Sequence, residues 1–107
     1  MMRKTTAERY VRGMQAKRPY PRWTNATVAK FIKARSVIAL GRDIEVTDVE
    51  CLSTEWCKPY NGHRHDPRHS FKTYNVTVFR PSGNREVWHV TIQRGGGGWF
   101  RYWKDAD

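Results

Sequence analysis

Cys51, Cys57, His63, His65 and His69 place five soft or borderline metal ligands within nineteen residues of a 107-residue chain. Thiolate sulfur and imidazole nitrogen are the donor set of tetrahedral zinc, and His65 and His69 have the H-x3-H spacing of one half of such a site. The segment from Ser53 to Ser70 is also longer than a structureless connection in a compact domain should be, and a bound ion would order it. Against zinc, Cys51-x5-Cys57 is wider than the usual two to four intervening residues, and a small thiol on a strand is commonly buried as an apolar group. Zinc on Cys51, Cys57, His65 and His69 is therefore the lesser expectation. The preferred one is a buried Cys51 and a basic loop whose histidines, beside Arg64 and Arg68, attract anions.

The second chemistry is electrostatic. The first 35 residues hold ten Lys or Arg and one acid, Glu8; residues 36–56 then turn acidic through Asp43, Glu45, Asp48, Glu50 and Glu55, and the whole chain carries +10. Positive potential gathered at one end attracts polyanions and speeds encounter with them. Arg9, Arg12, Lys17, Arg18 and Arg22 surround Tyr20 and Trp23, and Lys30 and Lys33 follow. Cations that neutralise a phosphate backbone are thus interleaved with rings that could stack on bases. Trp23 has two uses open to it, a base contact or a hydrophobic staple against the turn that follows.

Motifs for catalysis are weak. Gly95 to Gly98 lies between strand-like segments and lacks the Lys and Ser or Thr that open a phosphate-cradling helix, so it is expected to be a flexible turn. His89-Val90-Thr91-Ile92 resembles one half of the paired His-x-Thr elements of two-histidine phosphoesterases, without a second copy. His65-Asp66 resembles the metal-binding dipeptide of HD-type hydrolases, without helices for that family's other ligands. The acids Asp43, Glu45, Asp48 and Glu50 could hold magnesium, but alternating acids on a strand are more often its solvated face. No nucleophile and base are visibly paired, and the chain is not expected to be an enzyme.

The elements that position these residues follow from periodicity. Thr5 and Glu8 have capping-box spacing, and Ala7, Tyr10, Val11 and Met14 recur at helical intervals, predicting a helix over 5–17 that ends before Pro19. Thr24 or Asn25 caps a second helix over 25–40, with Val28, Phe31, Ile32 and Ile38 as its buried stripe and Gly41 as its left-handed stop. From Arg42 the period becomes two, and the change of parity between Val46 and Val49 predicts a bulge near Thr47 or Asp48. Phe71 to Arg80 and Glu86 to Arg94 form a hairpin around Pro81-Ser82-Gly83-Asn84. Pairing Arg80 with Glu86 puts Tyr74, Val76, Val78, Trp88, Val90 and Ile92 on the core face. Trp99 to Trp103 makes a last strand, with Lys104 to Asp107 frayed.

The fold class is α+β: two N-terminal helices on a three- to four-stranded antiparallel meander, in a single domain. Element order and the stretch from Val90 to Trp103 resemble a cystatin-like or nuclear-transport-factor-like roll, a likeness of architecture. No stretch reaches the roughly 18 apolar residues of a membrane span, and the basic start lacks a signal-peptide core, so a soluble, cytoplasmic chain with reduced thiols is expected.

Together these features predict a small basic nucleic-acid-binding protein, largely sequence-tolerant, favouring RNA or single-stranded DNA. Its contacts would be Arg9, Arg12, Lys17, Arg18, Tyr20, Arg22, Trp23, Lys30, Lys33, Arg64 and Arg68, with Lys58, Tyr60 and the loop histidines extending the footprint. The alternative is a protein-binding module or inhibitor, similar in make-up to phage-type effectors, that docks on an acidic partner such as a nucleic-acid enzyme. The acids from Asp43 to Glu50 favour that alternative, because a nucleic-acid surface has no use for them.

Overall fold

A computed structural model describes residues 2–58 and 66–97 and, as backbone, 99–105. Tyr60, His63, Arg64 and His65 lie outside the described residues. Two helices, α1 (Lys4–Ala16) and α2 (Asn25–Leu40), precede four strands, β1 (Glu45–Cys51), β2 (Phe71–Phe79), β3 (Arg85–Gln93) and β4 (Trp99–Asp105). The strands form an antiparallel meander in the order β1-β2-β3-β4.

The second helix forms as its sequence predicts. Thr24 Oγ1 accepts from the N–H of Thr27 at 3.2 Å, and Gly41 ends the helix at φ 62°. The buried stripe is broader than Val28, Phe31 and Ile32: Ala34, Ser36 and Val37 are buried as well, while Ile38 is only half-buried at the edge. The first helix starts at Lys4, with Arg3 as a cap that makes no side-chain bond, so Thr5 and Glu8 do not form the expected capping box. Met2 packs against the core and draws the helix start upstream of Thr5.

The bulge falls where parity changes: Val46 faces Val78 and Asp48 faces Thr77, leaving Thr47 extra. The hairpin register differs from expectation by two residues. Val78 faces Glu86, Val76 faces Trp88 and Tyr74 faces Val90. Gly83, at φ 91°, lets its N–H reach Arg80 O at 2.8 Å while Arg80 N–H reaches Asn84 O at 3.0 Å, closing a tighter turn than an Arg80–Glu86 pairing allows. A slip of two preserves the face of every side chain. Tyr74, Val76, Val78, Trp88, Val90 and Ile92 are therefore all buried against the helices, as their alternation requires. Arg80 and Glu86 still meet, as a diagonal ion pair, and Glu86 also accepts from Trp88 Nε1 at 3.0 Å. The last strand runs on through Asp105, so Lys104 and Asp105 pair with β3 rather than fray.

Between β1 and β2, the described residues are tied to the sheet and to a short turn. Leu52 N–H donates to Thr73 O, Cys57 and Phe71 exchange backbone bonds at 2.9 Å in each direction, and Asp66 caps a short 3-10 turn, Pro67–His69, by accepting from Arg68 N–H.

Candidate nucleic-acid interface

The two helices enclose a groove of about 360 Å³ on the basic side of the molecule. Tyr10, Met14 and Lys17 line it from α1 and its end, Arg22 from the linker, and Thr27 and Lys30 from α2. Helical spacing explains the membership. With about 100° per residue, Tyr10 and Lys17 fall on one flank of the buried stripe Ala7, Val11 and Met14, whereas Arg9 and Arg12 fall on the far side. Lys17, Arg22 and Lys30 are exposed cations, and no acid is among the described residues that line the groove. Lys30 Nζ lies 4.6 Å from the centroid of the Tyr10 ring. Burial pushes the Tyr10 phenol up from its ordinary pKa.

A second cavity, about 340 Å³, opens on the other flank of α1 between Gln15, Arg18, Asp66, His69, Gln93 and Gly97. Its wall is Arg68. The Arg68 guanidinium donates to Gln15 O at 2.7 Å, Lys17 O at 2.9 Å, Gly95 O at 2.9 Å and Pro19 O. One side chain thus ties the end of α1, the linker and the β3–β4 turn together. These bonds place Arg68 inside the fold's own polar network instead of on a free anion-binding loop. Gly95 and Gly96 are buried, Gly95 N–H donates to Arg68 O at 2.8 Å, and Gln15 Nε2 donates to Gly96 O at 3.0 Å. The expected turn is present, closed by Gly96 N–H on Gln93 O at 2.9 Å, and Gly95 and Gly96 also dock it on Arg68 and Gln15.

The remaining predicted contacts divide. Arg9 and Arg12 are exposed on the outer face of α1. Arg18 is exposed, donates to Gln15 O at 2.8 Å and lines the second cavity, not the groove. Lys33 pairs with Glu45 at 3.5 Å, a bond of the surface kind that contributes little. Trp23 sets its ring edge-on to Phe31, centroids 5.0 Å apart, and donates through Nε1 to Arg94 O at 2.8 Å. It serves as an anchor that reaches a turn beyond an ordinary staple. Tyr20 lies under Arg94, whose Cζ is 4.1 Å from the ring centroid.

Cys51 is exposed, not buried: it ends an edge strand, and its Sγ donates to Ser53 O at 3.0 Å. Cys57 is exposed too, and both are free thiols. His69 lies on the cavity beside Arg18. Among the described residues no three His, Cys, Asp or Glu side chains gather as a metal site, and His65 lies outside those residues. No described helix is long and apolar enough to cross a membrane. Trp56, which sequence inspection passed over, shares the Arg94 guanidinium with Tyr20 and takes Lys72 on its ring. Its only sequence signal was an aromatic residue in a basic loop.

No family model, curated protein or solved structure matches the chain.

Proposed function

We propose that the protein binds nucleic acid, RNA or single-stranded DNA, through phosphate contacts that are largely independent of sequence. The observation that carries this reading is the groove, without an acid among its described lining residues, in which Lys17, Arg22 and Lys30 converge beside the phenol of Tyr10. Three cations around one concavity neutralise successive phosphates and release their counterions, a gain that depends on backbone charge and not on base identity. Arg9, Arg12 and Arg18 add positive potential from outside the groove. In this role the protein is a binder, not an enzyme.

The exposed acids Asp48 and Glu50 on edge strand β1 favour a second reading, a protein partner that uses both signs of charge. Titration with labelled RNA, single-stranded DNA and duplex DNA at two salt concentrations separates the two. Binding that persists near physiological salt and falls steeply as salt rises supports the nucleic-acid role. Weak, indifferent binding to every polyanion at low salt alone refutes it and makes a protein partner the leading reading.

A further inference from the structure

The Arg94 guanidinium lies over two rings, its Cζ 4.1 Å from the centroid of Tyr20 and 5.4 Å from that of Trp56, and Lys72 Nζ is 4.9 Å from Trp56. Tyr20 comes from the linker between the helices, Trp56 from the segment after β1, and Arg94 from the end of β3. All three are half-buried, so each is partly accessible to solvent. The backbone of Arg94 is held without help from its side chain: its N–H donates to Ser70 O at 2.7 Å, and its carbonyl accepts from Trp23 Nε1 at 2.8 Å. Neither of these bonds depends on where the guanidinium lies.

A guanidinium is planar and weakly hydrated, and it stacks on aromatic rings much as a nucleobase does. Where it lies against Tyr20 and Trp56, an unpaired base has the same two rings to stack on. Once displaced, Arg94 gains a bidentate partner in a phosphate of the same strand, and Lys72 offers a second cation there. The linker joins this place to the groove, because Lys17 and Arg22 line the groove and Tyr20 stands between them in sequence. The geometry points to Tyr20 and Trp56 as a base-stacking clamp for single-stranded nucleic acid, with Arg94 as the resident cation that swings to phosphate when a base enters. The inference rests on the groove reading and narrows it, since paired bases stacked within a duplex gain nothing from the clamp.

The test is a fluorescence-anisotropy comparison of a short labelled DNA strand with an otherwise identical strand whose bases are replaced by abasic sites, with the RNA strand as a further arm. The wild-type protein should bind the base-bearing strand about tenfold more tightly than the abasic one. Trp56→Leu and Tyr20→Leu should each remove most of that preference, and Trp56→Phe should retain it. Equal affinity of the wild type for both strands, or a preference that survives Trp56→Leu, overturns the clamp. Failure of the groove reading is distinguishable: replacing Lys17, Arg22 and Lys30 by Ala then leaves the affinity for both strands unchanged. Thermal melts identify any variant that does not fold. Photocrosslinking of a bromouracil-substituted strand to the wild-type protein needs no variant, and should join it to Trp56 or Tyr20. Crosslinks at neither residue count against the clamp.

Discussion

Gly95 lies so close to Arg68 that a Cβ on it would stand 2.8 Å from the Arg68 Cβ and 2.9 Å from its Nε. The glycine is needed for close approach, and the arginine closes over it to reach carbonyls on both sides. Gly95→Ala should therefore lower stability by about 1–3 kcal/mol through overpacking. Arg68→Ala, which strands several carbonyls at once, should cost about 2–4 kcal/mol. Arg68→Lys should recover less than half of that, because an ammonium cannot reproduce the planar fork. Urea unfolding midpoints check all three; an Arg68→Ala protein as stable as wild type would remove the role of Arg68 as the tie between α1, the linker and the β3–β4 turn.

Trp23 combines an edge-on contact with Phe31 and a bond to Arg94 O. Trp23→Phe keeps the first and loses the second, with an expected loss of about 1 kcal/mol. Trp23→Ala loses both, for about 3 kcal/mol. If Trp23 is an anchor, neither change alters the salt slope of nucleic-acid binding at temperatures where the variants remain folded. A changed slope would return Trp23 to the ligand surface.

Groove cations and outer-face cations should separate in salt titrations. Each lost phosphate contact flattens the log–log slope by about 0.7 on a single strand, so Lys17→Ala, Arg22→Ala and Lys30→Ala combined should flatten it by about 2. Arg9→Ala with Arg12→Ala should act mainly at low salt, where long-range attraction is unscreened. Equal slope changes in the two variants would relocate the site to the outer face of α1.

Tyr74 is buried beside Cys51, and burial first, then the thiol's charge and hydrogen bond, push its phenol well above the ordinary tyrosine value. The unfolded chain thus releases this proton near pH 10 while the folded chain keeps it. Stability from this group is complete below pH 10 and declines as pH rises beyond it. Tyr74→Phe should flatten that alkaline decline, and absorbance titration at the tyrosinate band should show one phenol ionising only on unfolding. Ionisation of every tyrosine in the native protein near pH 10 would contradict the burial argument.

Much of the fold was legible because its signals are local. Thr24 and Gly41 bound α2 through their own cap chemistry, and the parity change between Val46 and Val49 put the bulge near Thr47 or Asp48, where Thr47 proves to be the extra residue. Alternation alone assigned Tyr74, Val76, Val78, Trp88, Val90 and Ile92 to one face, and that assignment survived a register slip of two because the strand period is two. The capping box at Thr5 misled because a local spacing competed with the packing of Met2 on the core.

The candidate site was legible in kind but not in membership. Composition by itself determined that the helical end is cationic and ring-bearing, since net charge and residue type do not depend on how the chain folds. Which cations remain available was decided only by tertiary structure. Arg68 reaches Gln15 O across 53 residues of sequence, and Arg94 lies over the rings of both Tyr20 and Trp56. Hydrogen bonds and ring contacts form between groups that packing brings within a few ångströms, and neither periodicity nor charge encodes that distance.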